Sequence, residues 1–211
     1  MVRKVTDEPT VTVDPVARNW AVLKAAMPEA LLVPVAAVSV EAIRRHVGLD
    51  CVTVPGTRPG NAFRVIAECG PDPSELAVWN HERAPVLNQR VQIWVDIGYS
   101  GYRKAYRALF PEENIRNRVI HHVMNRRYAT LHGYRYVRLV AISRSTNSSS
   151  SFSENWGVAL TKEGTLKKAS GEAAIRYADI ANLMPMLDIP VGGGVMENVR
   201  VAVDLLRTGH P

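Results

Sequence analysis

The chain has 211 residues, 46% of them hydrophobic, with 26 Lys and Arg against 20 Asp and Glu for a formal net charge of +6 at pH 7. That length suits one large domain or two small ones, and the apolar fraction can fill a real core, which excludes a chain disordered throughout. The longest apolar run, residues 31–40, falls well short of the ~20 residues of a membrane-spanning helix and contains Pro34. Residues 1–14 carry no apolar signal core, and Cys51 and Cys69 form no CxxC pair. The expectation is a cytoplasmic protein with reduced cysteines, no membrane partner and no zinc knuckle.

In chain order, Asp14-Pro15 opens an amphipathic helix with Val16, Trp20, Leu23 and Met27 at helical spacing, stopped by Pro28. Residues 31–38 read as a buried strand. Ser39 caps a short helix over 40–47, with Gly48 as its stop. Residues 49–54 and 61–69 flank the turn Pro55-Gly56-Thr57-Arg58-Pro59-Gly60 and read as a hairpin. Helix, short helix and hairpin over 14–69, with VSVEAIRRHVG as the second helix, resemble a winged helix-turn-helix. That resemblance implies DNA contacts near Arg44, Arg45 and Arg58; the plainer reading is an α/β layer with Ile43 and Val47 in its core. Residues 90–97 alternate, placing Val91, Ile93, Val95 and Ile97 on a buried face and Gln92, Trp94 and Asp96 on the other. A helix over 102–110, a strand over 134–142, a serine-rich loop over 144–153, and helices over 171–183 and 196–207 complete the order. Gly192-Gly193-Gly194 reads as a turn.

The charge is local. Residues 102–144 hold ten basic residues and two acidic ones, whereas the remainder has 16 basic against 18 acidic. Six of the seven tyrosines lie between Tyr99 and Tyr136, interleaved with this charge. Basic residues among aromatics are what a polynucleotide surface uses: cations neutralise phosphates and rings stack on bases. Arg103, Lys104, Arg107, Arg116, Arg118, Asn125, Arg126, Arg127, Tyr128, His132 and Arg135 are the candidate nucleic-acid contacts.

Residues 115–132 admit two readings. In one, a long helix runs from about 112 to 132, ends at Gly133, and aligns Arg118, His121, Asn125, Tyr128 and His132 on a cationic face. In the other, the helix breaks near His121 and residues 119–123 form a short strand or elbow. The pair His121-His122, followed by Asn147 in TNSSSS and then Glu154, resembles the HNH, or ββα-metal, nucleases over residues 115–157. The resemblance implies a catalytic set of His121, His122 and Asn147, in which one histidine activates water and Asn147 orients the base or its loop. It also implies that His122 and Glu154 hold a divalent cation, Mg²⁺ or Mn²⁺.

The expected fold is therefore α+β, with mixed small sheets, packed helices and a central basic helix. An N-terminal α/β part spans 1–88 and a basic C-terminal part spans 89–211. The expected function is nucleic-acid binding, to DNA or RNA, through residues 102–144, with metal-dependent phosphodiester cleavage as its sharper form. The alternatives are a non-catalytic DNA-binding protein and an assembly protein whose basic segment meets an acidic partner; a homo-oligomer is compatible with each.

Overall fold

A computed structural model describes residues 33–67, 89–150, 174–178 and 180–188. Seven strands form one antiparallel sheet: β1 (Pro34–Ala37), β2 (Cys51–Thr53), β3 (Ala62–Ile66), β4 (Val91–Asp96), β5 (Arg118–His122), β6 (Tyr136–Ser143) and β7 (Ile175–Tyr177). Their order is β2-β3-β4-β6-β1-β7, with β5 joined to β6. Among the described residues, five short helices accompany the curled sheet: α1 (Val40–His46), α2 (Tyr102–Leu109), α3 (Arg126–Leu131), α4 (residues 144–150) and α5 (Ile180–Met186).

Strand β6 is the centre of this arrangement. All its residues but Ser143 are buried. It pairs with β4 from Tyr136 to Leu139, with β1 at Tyr136 and Val137, and with β5 from Leu139 to Ser143. Because β1 and β4 share the same two β6 residues, they occupy opposite edges. Strand β5, which shares Leu139 with β4, must follow β1 along β1's edge. A strand paired on both edges and covered on both faces reads as a continuous apolar run, and YVRLVAI is such a run apart from Arg138.

Several local expectations hold. The Ser39 hydroxyl accepts from Ala42 N at 3.1 Å and starts α1. Ile43 and Val47 are fully buried against Cys51, Phe63, Val65 and Trp94, as an α/β layer requires. The turn between β2 and β3 uses positive φ at Gly56 and Gly60. Pro34 is the first residue of β1, where its missing N–H costs least. Strands β2 and β3 are not a free wing, since β3 pairs along its length with β4. Strands from both sides of residue 88 thus join one sheet.

Other expectations need correction. The fold is sheet-dominated, not an α+β assembly of small sheets packed around a central basic helix. The long helix over 112–132 does not form. Residues 118–122 instead donate and accept along β6, and Asn125 starts a separate helix, α3. Its Oδ1 accepts from Arg127 N at 2.8 Å and Tyr128 N at 3.3 Å, while its backbone is extended (φ −55°, ψ 131°). An N-cap needs that non-helical conformation, so a helix cannot pass through it. Gly133, with φ 77°, does end α3 as expected. Strand β4 is buried on both faces, with Trp94 and Gln92 as enclosed as Ile93; Trp94 Nε1 donates to Gln92 Oε1 at 3.0 Å. The first part of the serine-rich stretch, 144–150, is helical rather than a loop. Ser143 Oγ accepts from Thr146 N, and Ser149 and Ser150 hydroxyls donate back to the carbonyls three residues earlier. The helix expected over 171–183 is replaced by β7 and α5, with Pro185 inside α5. The N-terminal helix, Cys69, the 192–194 turn and the 196–207 helix lie outside the described residues.

Asp188 locks the end of this architecture. It adopts φ 61°, accepts Ser143 N at 2.7 Å on Oδ1 and Arg118 at 3.2 Å on Oδ2, and offers its carbonyl to the Thr146 hydroxyl. One residue thereby ties the start of β5, the end of β6 and the first turn of α4. Charge-assisted bonds of this kind contribute about 1.5–3 kcal/mol each. Asp188→Ala is expected to lower unfolding stability by about 3 kcal/mol in urea titration, whereas Asp188→Asn, which keeps an acceptor and tolerates positive φ, should lose less than half as much. Equal losses in the two variants would show that the acceptor contacts are not what stabilises this corner.

Candidate functional site

Helix α2 has Ala105 and Tyr106 buried against the sheet, which leaves Arg103, Lys104 and Arg107 in solvent. The loop after it carries Pro111 to Arg116 back to the outer strand β5. Between α2, this loop, the start of β5 and Arg144 lies a cleft of about 650 Å³. Its lining includes Arg103, Arg107, Arg116, Arg118 and Arg144, together with Glu112 and Glu113. Of the five arginines, Arg118 is paired with Asp188. Among the described residues, Arg103, Arg107, Arg116 and Arg144 make no ion pair. Arg103 lies over the Tyr102 ring, 4.9 Å from its centroid. Four guanidinium groups with no carboxylate partner among the described residues, around one concavity, make a cationic surface.

The structure thus brings together Arg103, Arg107, Arg116 and Arg118 from the sequence-derived set, and disperses the rest. Lys104 stands on α2 but does not line the cleft. Asn125 is occupied as the α3 cap. Arg126 is exposed and reaches the Ile97 carbonyl at 3.4 Å; Arg127 is exposed on α3. Tyr128 and His132 pack ring on ring at 4.2 Å, and His132 is buried, so it does not belong to an exposed cationic face. Arg135 donates to Asp96 Oδ2 at 2.9 Å, a hydrogen bond that raises its already high pKa. Half of the tyrosine cluster is core: Tyr106, Tyr134 and Tyr136 are buried, while Tyr99, Tyr102 and Tyr128 are partly buried against it.

Sequence reasoning missed Arg144, Glu112 and Glu113 as neighbours of the α2 arginines. Arg144 was detectable only as the last cation of the basic window. It also did not foresee that Arg138, in the same charge run, is fully buried, directly across from Trp94 in the β4–β6 register. Burial pushes that guanidinium down to about 9.

The histidine pair sits just beyond the cleft on β5. Successive strand residues project to opposite faces, and the two imidazoles have different neighbours. His121 is buried, and its Nδ1 lies 3.2 Å from Asn147 Oδ1 on α4. With the amide oxygen as acceptor, the imidazole carries its proton on Nδ1 and its lone pair on Nε2. His122 packs edge-on against Tyr102 at 4.4 Å, and the charges of Arg126 and Arg103 lie close to it. Burial lowers His121 to about 4. Burial, then Arg126, His121 and Arg103, lowers His122 to about 3. Both rings are therefore neutral at pH 7.

Glu154 lies outside the described residues. Among the described residues no three His, Cys, Asp or Glu side chains are grouped as a metal site needs, so the two histidines do not by themselves make a cation site. No helix among them is long and apolar enough to cross a membrane. No family model, no curated protein and no solved structure matches this chain.

Proposed function

We propose that this protein binds nucleic acid through the cleft between α2 and β5. The observation that carries the reading is the convergence of Arg103, Arg107, Arg116 and Arg144, none of them ion-paired among the described residues, with Arg118 at the same rim. Guanidinium is the side-chain group best matched to phosphate, in charge and in the fork of its N–H donors. An exposed basic surface that served only solubility would interleave both signs into pairs; among the described residues four of these cations make no ion pair. The test is fluorescence anisotropy with labelled single-stranded and duplex oligonucleotides across a salt series. Affinity should fall steeply as salt rises, because phosphate binding releases counterions. Binding undetectable even at low salt would remove this reading in favour of an acidic protein partner for the same cleft.

A second reading, phosphodiester cleavage, is favoured by one contact. His121 and Asn147 are 26 residues apart in sequence, yet they meet as an oriented imidazole–amide pair. A neutral imidazole with Nε2 as its acceptor has the form required of a base that takes a proton from attacking water. A divalent cation would stabilise charge on the phosphate; His122 leaves β5 on the opposite face from His121 and does not stand beside that base to hold it. Incubation of plasmid and RNA with and without Mg²⁺ or Mn²⁺ tests this reading. Cutting that survives in both His121→Ala and His122→Ala would exclude these histidines.

A further inference from the structure

Glu112 and Glu113 line the same cleft as the open arginines, yet neither carboxylate is within ion-pairing distance of any of them. Glu113 is held: the hydroxyl of the buried Tyr106 donates to its Oε2 at 2.7 Å. The Tyr106 ring is itself fixed by the core and by Phe110, 4.8 Å away. The cleft therefore presents a fixed hydrogen-bond acceptor in the same lining as a set of cations. A ligand that satisfies both carries anionic oxygens and N–H donors.

The volume, about 650 Å³, lies within the roughly 300–1,000 Å³ of clefts that enclose small molecules and is far too small to admit a duplex. It suits one unstacked nucleotide, its phosphate toward the arginines and its base toward the carboxylate. Among the four common bases, only guanine offers two adjacent donors on its pairing edge, N1–H and the 2-amino group, which match the two oxygens of a carboxylate. The pairing edges of adenine and cytosine set a ring-nitrogen acceptor beside the amino donor. Those of uracil and thymine flank their single N–H with two carbonyls, which a carboxylate repels. Edges of this kind are accessible in single strands and hidden in duplexes.

We infer that the cleft selects single-stranded nucleic acid by seating a guanine nucleotide, with Glu113 accepting from the base and the α2 and loop arginines holding the phosphate. The inference rests on the nucleic-acid reading above. It is tested with the intact protein by anisotropy, using single-stranded oligonucleotides that contain guanine or, at the same positions, hypoxanthine, which lacks the 2-amino group. Guanine should bind about tenfold tighter than hypoxanthine, as the loss of one hydrogen bond to a charged acceptor implies. Glu113→Gln should erase that difference, while Glu112→Gln and Tyr106→Phe report how far the fixing of Glu113 matters. Equal affinity for the two oligonucleotides, or an unchanged preference in Glu113→Gln, overturns the guanine inference and leaves general binding intact. Absence of binding to every oligonucleotide at low salt overturns the underlying reading instead.

Discussion

Replacing Arg107, Arg116 and Arg144 together by alanine is expected to weaken single-strand binding about 100-fold in 0.1 M salt. The reasoning is counterion release. Each phosphate contact on a single strand contributes a slope of about −0.7 in log affinity against log salt, so three lost contacts flatten the slope by about 2. Extrapolated to 1 M salt, the variant and the parent should nearly converge, because what is lost is electrostatic. All three side chains are exposed, and among the described residues none is ion-paired, so fold stability should change by less than about 0.5 kcal/mol. Arg127→Ala, which removes an equally exposed cation on α3 away from the cleft lining, is the control. If the triple variant keeps the parental slope, or if Arg127→Ala flattens it as much as one cleft substitution, the cleft is not where phosphate binds.

The second large effect concerns acid. His121 and His122 titrate near 4 and 3 in the folded chain, against an ordinary value of 6.5. Above pH 6.5 both rings are neutral, folded or unfolded, and proton uptake does not affect stability. Below 6.5 the unfolded chain takes up two protons that the folded chain excludes. Stability therefore declines as pH falls from 6.5, and the decline levels off only near the folded values. Each histidine should cost about 2 kcal/mol at pH 5, from ~1.4 kcal/mol per pH unit over the interval below 6.5, so the pair accounts for about 4 kcal/mol. Urea unfolding at pH 8 and pH 5 measures this directly. The variant with both histidines changed to glutamine should lose most of the pH dependence, even if it is less stable at pH 8. A parent equally stable at both values would mean that the imidazoles are not excluded from protonation by burial. The same depressed values bear on the cleavage reading. A buried, weakly basic His121 is neutral at pH 7, but its Nε2 is itself buried, so cleavage would need a rearrangement that brings water to that atom.

The sequence alone determined what is local or additive in this protein. The confinement of net positive charge to residues 102–144 is a property of composition. Ser39 as a cap, the Gly-rich hairpin turn, the amphipathic α2 and the stop at Gly133 each depend on a few neighbouring residues and their backbone preferences, and each is found where those preferences put it. Residues 115–132 could not be decided in that way. Val119, Ile120, His121 and His122 suit a helix face or a strand, and what selects the strand is the open edge of β6 beside it, where Leu139–Ser143 supply hydrogen-bond partners and cover. The enclosure of the second face of β4, the helicity of 144–150 and the burial of Arg138 likewise depend on segments distant in the chain. The cleft is the sharpest case. Sequence showed the arginines as a run, but a run has no shape. Only when β5 leaves the helix path and aligns with β6 do Arg103 and Arg107 of α2 come to line one concavity with Arg116 and Arg144, with Glu113 in the same lining held by Tyr106.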